Sequence, residues 1–363
     1  MIRLMLSAAA LLLSVSAFGA EPGSGEQQDK RLVPAQINFV VPKAPQDIPE
    51  VYIDGYIHRP TVEAFRQSGF LRDRQVGFVY FNSHGGDLIA AMELGQLIRE
   101  RGFSTRVGTW NGPNTNPSPG YCESACPFSF AGGVFRLMDG VSKMGVHQFF
   151  KASGIAGDTD IATGQITSTL LANHLSNLGI DLRLLEVAGK AGPAEMNYLT
   201  PLEAYEIDLV NAGSLPATWT IRGEHGLVYL MGEQTKITGT GRIGMSCNAN
   251  SGVSMAAFYK AWYDTSLLGM MDSLALTVDN KSFAVRNAKV GPSLKNGFSY
   301  ITFDPTPEQL AAFRSGRTVG FSYEKAGTDL KARFTVDVND AQGMIDSFAQ
   351  LCTGARPTFV EKI

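Results

Sequence analysis

The chain is sparing with charge. Asp, Glu, Lys and Arg make up 18% of its 363 residues and leave a formal net charge of −3. With no basic excess or stripe, nothing electrostatic points to nucleic acid as a partner. Four cysteines are present, none at a zinc-ligand spacing, and no Gly-x-x-x-x-Gly-Lys-Ser/Thr loop occurs. Neither a zinc module nor a P-loop nucleotide site is therefore expected, and no cofactor is. Beyond the first segment, no apolar run approaches the roughly 20 residues that a membrane-spanning helix needs. No internal repeat is visible. What remains is a hydrophobic content of 44%, ordinary for a globular protein, at a length whose prior is two domains.

Residues 1–20 have the layout of a secretory signal peptide. Arg3 supplies the positive start, residues 4–18 are apolar, and Ala17, Gly19 and Ala20 are small residues suited to cleavage. An uncleaved anchor is the alternative, and no cysteine follows that would suit a lipoprotein. Export, to the periplasm on this reading, permits disulfides. Cys247 and Cys352 read as a bridge closing a long loop. Cys122 and Cys126 flank Ser124 and are either bonded, with Cys122 just outside the first helical turn, or two buried thiols.

Residues 21–45 read as a poorly ordered leader with one extended piece at 37–41, and residues 46–213 as an α/β domain with a parallel sheet and flanking helices. Residues 51–57 alternate as a strand does, and Thr61 is placed to cap a short helix ending near Gly69. The near-continuous apolar run at 75–81 suits a strand covered by helices on both faces. The turn Asn82-Ser83-His84-Gly85-Gly86 leads into a helix over 87–101, with Asp87 as N-cap and Leu88, Ala91, Met92, Gly95 and Ile98 on one face. A strand at 104–108 completes a βαβ unit. Residues 110–120 hold too much Pro, Gly and Asn for helix or strand. A helix is predicted over 124–133, with Pro127 tolerated in its first turn, and a strand over 141–148. Another helix is expected at 160–178, with Ile161, Ile166, Leu170, Leu171, Leu175 and Leu178 on its buried side. Short helices at 182–188 and 200–205 precede a strand end at Leu209-Val210.

Composition changes at Gly213-Ser214-Leu215-Pro216. Residues 217–363 are expected to form a smaller, mainly-β α+β domain, with strands at 227–231, 282–285, 298–303, 318–321 and 332–338. Helices are predicted there at 255–263, 306–315 and 341–351. No catalytic grouping is evident in this half.

Three segments carry the chemistry. Ser124 sits among small residues at the predicted start of a helix, whose dipole favours developing negative charge. His147 is a candidate base. Gly85-Gly86 would let backbone approach a substrate with no Cβ in the way. A serine nucleophile needs just such an adjacent base and donors aimed at the oxyanion. Taken singly, each piece is equally a packed serine, a satisfied core histidine or a tight turn.

In order and spacing, the pieces resemble the Clp protease proteolytic-subunit family of the wider crotonase-like superfamily, over about residues 48–213. Asn82-Ser83-His84-Gly85-Gly86 is similar to the family's Asn-Ser-Pro-Gly-Gly, with His84 in place of proline, and Ser124 falls on its nucleophile. Phe128 and Ala131-Gly132-Gly133 resemble the helix that follows, and Val146-His147-Gln148 its hydrophobic-His-Gln. Tyr198-Leu199-Thr200-Pro201-Leu202-Glu203-Ala204 and Leu209-Val210 resemble its last helix and strand. The Cys122-to-Cys126 pattern looks more like exported members of the superfamily.

The resemblance implies a serine hydrolase, a peptidase acting on peptide or protein. In it Ser124 attacks the scissile carbonyl, His147 accepts its proton, and the backbone N–H groups of Gly86 and Ala125 bind the oxyanion. It also implies self-association, since these folds form rings or trimers. The family's acidic third member falls near Gly192, which cannot hold an imidazole; Glu195 and Asn197 are the nearest polar candidates. Asp158, Asp160 and Asp181 read as loop or cap residues. His84 is either a second titrating group at the site or an exposed turn residue. The competing reading is a weak or inactive relative that binds peptides or envelope partners. An acyl-thioester enzyme of the crotonase kind would lack the Ser/His pair and would need coenzyme A, which is not expected outside the cytoplasm.

Overall fold

The structure, a computed structural model, describes residues 33–41, 48–68, 77–113, 115–149, 160–224, 226–248, 252–262, 265–290 and 296–354. Residues 1–20, read above as a signal peptide, and most of the expected leader lie outside the described residues. Among the described residues the fold is a mixed α/β arrangement of four sheets and eight α-helices. No described helix is long and apolar enough to cross a membrane.

The first half begins with β1 (Gln36–Val40), which pairs antiparallel with β2 (Glu50–Asp54), so part of the expected leader is a sheet strand. Then come α1 (Arg59–Gln67), β3 (Phe78–Asn82), α2 (Leu88–Glu100) and β4 (Ser104–Val107). The chain continues through β5 (Tyr121–Glu123), α3 (Cys126–Phe130), β6 (Arg136–Leu137) and β7 (Lys143–Val146). It ends with α4 (Asp160–Leu178), α5 (Arg183–Gly189), β8 (Asn197–Leu199) and α6 (Pro201–Glu206). The main sheet has the order β1-β2-β3-β4-β6, parallel from β2 onward. A small sheet, β5-β7-β8, stands beside it, and a bridge from Ser83 to Cys122 ties the two.

Local chemistry explains much of this. The Asp87 carboxylate accepts from the Ala90 amide at 2.7 Å and starts α2. The N-cap of α1 is His58 rather than Thr61, whose buried hydroxyl instead accepts the His58 amide within the first turn. Val79 and Phe81 of β3 face the main core. Phe78 and Tyr80 face away from it, where helices were expected; they pack instead with Tyr52, Leu137 and Ile237. Tyr52 stacks on Tyr80 at 4.6 Å, and both hydroxyls donate to Glu50. Burial first, then the Glu50 charge, pushes the Tyr80 phenol up to about 12.

Three further expectations need correction. On α4, Leu171, Leu175 and Leu178 are buried, but Ile161, Ile166 and Leu170 are exposed by 79%, 62% and 45%. Only the C-terminal half of that helix meets the core, so its apolar spacing extends past its packing. Leu209 and Val210 are buried but form no strand; the Val210 amide donates to the Ala204 carbonyl in the turn after α6. The helix predicted over 124–133 shrinks to the five residues of α3. Behind it, Gly95 of α2 lies so close that an added Cβ would stand 2.5 Å from the Phe128 carbonyl oxygen. Gly95→Ala is expected to cost about 2 kcal/mol through overpacking, read as a lower urea midpoint with an unchanged slope.

The second half has β9 (Thr218–Glu224), β10 (Leu227–Lys236), β11 (Gly239–Asn248), β12 (Gly252–Ala261), β13 (Ser273–Val278) and β14 (Lys281–Ala284). After these come β15 (Lys289–Val290), β16 (Ser299–Phe303), α7 (Pro307–Ser315), β17 (Thr318–Glu324), β18 (Lys331–Asp337) and α8 (Gln342–Gly354). Its two antiparallel sheets, β15-β16-β12-β11-β10-β9 and β14-β13-β17-β18, enclose a separate core. The helix predicted at 255–263 is the strand β12. Its Ala-rich composition suits a helix, but Val253, Met255, Ala257, Tyr259 and Ala261 alternate inward, and that period of two decides. Segment 213–215 is bonded to β10, with Ile237 N donating to Gly213 O and Leu215 N to Thr235 O.

Candidate active site

Parallel pairing assembles the site. Ser83 bridges Cys122, and Cys122 pairs with Met144, so the end of β3, the end of β5 and β7 run side by side. The three ends carry the 83–86 turn, Ser124 and His147. Ser83 N donates to Tyr121 O, Glu123 N to Ser83 O, and Ser124 N to Gly145 O at 2.9 Å.

Ser124 is not in a helix. Its φ is +58°, a left-handed conformation that costs a non-glycine residue roughly 1–2 kcal/mol. It occupies a sharp strand-to-helix turn, and Cys122 and Cys126 close around it with sulfurs 2.05 Å apart. Because α3 is so short, the helix-dipole contribution expected from sequence is small. The Ser124 hydroxyl lies 2.7 Å from His147 Nε2, in position to donate to it. Gln148 holds the segment after His147, its amide donating to Ala191 O and its side chain to Gly189 O.

Gly85 and Gly86 have φ of +105° and +135°. A Cβ on Gly85 would stand 2.6 Å from the Ser124 Cβ, and one on Gly86 would stand 2.2 Å from the Ile57 carbonyl oxygen. Both positions therefore require glycine. Among the described residues, the amides of Gly86 and Ala125 have no hydrogen-bond partner. These are the two donors expected to face an oxyanion.

The candidates for a third member are engaged elsewhere. Glu195 Oε2 accepts from the Gly192 amide at 3.1 Å, and Asn197 Nδ2 donates to Val187 O at 3.3 Å. Asp181 accepts from the backbone amide and side chain of Arg183, which hold its carboxyl below the usual range. Asp158 lies outside the described residues, as does the side chain of Asp160.

A second polar group lies beside the first; of its members sequence reasoning singled out His84 but missed Glu123 and Tyr198. His84 Nδ1 lies 2.6 Å from Glu123 Oε2, and the Tyr198 hydroxyl donates to Glu123 Oε1 at 2.7 Å. The hydrogen bond to Glu123 pushes the Tyr198 phenol up to about 12, with burial adding to it. The signal available was the placement of Glu123 directly before Ser124 and of His84 directly before Gly85.

With this geometry in place, comparisons add little. No family model matches the chain, and no curated protein does. Among the solved structures that are similar is a mutant ClpP1 from Listeria monocytogenes. It shares 16% identity at a TM-score of 0.33, over 45% of this chain and 88% of that one. Among the described residues, no group of three or more His, Cys, Asp or Glu side chains is placed to hold a metal ion. The far pair, Cys247 and Cys352, has its sulfurs 2.11 Å apart and joins β11 to α8.

Proposed function

We propose that this protein is an exported serine hydrolase, a peptidase of Clp-protease-like, crotonase-like fold over residues 46–213, with a β-rich domain over 217–363. One observation carries the reading: the Ser124 hydroxyl donates to His147 Nε2 at 2.7 Å, beside the Gly86 and Ala125 amides, which have no partner among the described residues. Ser124 attacks the scissile carbonyl as its proton passes to His147. The oxyanion forms against the Gly86 and Ala125 amides, which need no reorganisation to receive it. The leaving amine departs, and water then releases the acyl group from Ser124. The two bonded cysteine pairs and the apolar N-terminal segment support a periplasmic location. Self-association belongs to the same reading.

A second reading is a weak or inactive relative that binds peptides or envelope partners. It is favoured by the engagement of Glu195 and Asn197 away from His147. A fluorophosphonate probe with mass mapping separates the two. The hydrolase is expected to label at Ser124, with labelling lost in Ser124→Ala and slowed in His147→Ala. A folded protein that takes no label across neutral pH sinks the first reading.

A further inference from the structure

Two histidines, not one, flank Ser124. His147 follows β7, on one side of the strand that delivers the serine, and His84 lies on the other side, in the turn after β3. His84 directly precedes Gly85, whose backbone touches Ser124. Glu123, to which its ring is bonded, directly precedes Ser124. Glu123 is 7% exposed and accepts from two partners, His84 and Tyr198. A carboxylate can only accept, so His84 donates Nδ1–H to it and turns Nε2 away from it. A buried carboxylate behind an imidazole fixes the ring and stabilises its protonated form.

The sheet is built to make this pair. Glu123, Gly145 and Tyr198 lie opposite one another across β5, β7 and β8. A Cβ on Gly145 would stand 2.6 Å from the Met196 side chain and 3.2 Å from the Tyr198 ring, so its absence leaves room for both. Tyr121 lies against the His84 ring at 5.3 Å. The His84 side chain is nonetheless 54% exposed, so the ring is accessible to a substrate.

We propose that His84, held by Glu123 and Tyr198, is a second proton carrier at the site, serving the substrate's leaving group and the hydrolytic water while His147 serves Ser124. The proposal rests on the hydrolase reading. The cycle starts with a proton on each ring nitrogen of His84, the one on Nδ1 bonded to Glu123, and with His147 Nε2 accepting from Ser124. As Ser124 Oγ bonds to the carbonyl carbon, its proton moves to His147. As the C–N bond breaks, the departing amine takes a proton from His84 Nε2. Water then bonds to the acyl carbon and gives a proton to His84. The C–Oγ bond breaks and Ser124 recovers its proton from His147. Both histidines end as they began. Glu123 and Tyr198 are positioning residues.

The test uses the full chain and a nitrophenyl ester beside a matched anilide. The ester's leaving group needs no proton, so its acylation depends on His147 and not on His84; the exposed His84 then releases its Nε2 proton to solvent and accepts the proton of the hydrolytic water. In His84→Ala the steady-state rate on the ester is expected to fall about 100-fold, with the first turnover slowed far less, giving a burst of one nitrophenol per site. Anilide turnover falls as much with no burst, and added imidazole restores the ester steady state. Glu123→Gln should show a weaker form of the same split. Equal slowing of burst and steady state, or unchanged turnover, overturns the role of His84. Failure of the unmodified protein to label with fluorophosphonate at Ser124 overturns instead the hydrolase reading on which it rests.

Discussion

Ser124→Ala and His147→Ala are each expected to lower peptide hydrolysis by on the order of 10⁴-fold or more, and the double variant is expected to fall no further. The shared floor follows from how the two groups work. The hydroxyl is a poor nucleophile until its proton has an acceptor, and the 2.7 Å contact to Nε2 supplies one. Without the acceptor the serine is inert; without the serine the acceptor has nothing to activate. Residual turnover then comes from substrate binding and the Gly86 and Ala125 amides alone. The measurement is kcat/KM for the two single variants and the double variant, with active-site titration of the parent. Losses that simply add would show that Ser124 and His147 act separately, and would leave the 2.7 Å contact as an ordinary packing hydrogen bond. Neither substitution should unfold the protein, because the Ser124 turn is held by its own backbone bond to Gly145, by the bridge of Ser83 to Cys122, and by the Cys122–Cys126 pair.

What was legible in the sequence, and what was not, divides by the range over which the cause acts. The Asp87 cap, the glycine turn and the small residues around Ser124 are local features, written within a few positions of where they act. The pairing of Ser124 with His147 spans 23 residues, and it was legible only through a resemblance in the order and spacing of motifs. The links of Glu123 to His84 and to Tyr198 span 39 and 75 residues and depend on the register of three strands. Locally only the placement of Glu123 before Ser124 and of His84 before Gly85 points to them. The error at 255–263 has the opposite cause: local propensity favoured a helix, and pairing with β11 and β16 on either side overrode it. The short α3 is a third kind of departure. Gly132 packs against Gly95 at the end of that helix, and the αL turn at Ser124 precludes helix at its start. The serine that looked like a helix residue is thus the residue that prevents one.

Cys247→Ser with Cys352→Ser is expected to destabilise the folded state by about 3–5 kcal/mol, because the bond closes a loop of 105 residues and long loops lose the most chain entropy when tied. Its effect should lie mainly in the unfolded ensemble. Helix α8 has other attachments in the native state: Ile345, Phe348 and Ala349 are buried, and Asp346 pairs with Arg314. The helix should therefore stay docked in the reduced protein while the melting temperature falls by roughly 10 °C, read by calorimetry with and without reductant. The Cys122–Cys126 pair gives the contrast. Its sequence separation is only 4, so chain entropy assigns it about 2 kcal/mol or less. What it holds is the αL turn of Ser124, so its loss should be read chiefly in the rate of fluorophosphonate labelling. If breaking the near pair moved the melting temperature as far as breaking the distant one, loop closure would be the wrong account of both. If breaking it left labelling untouched, the turn would be held by the Gly145 and Ser83 backbone bonds alone.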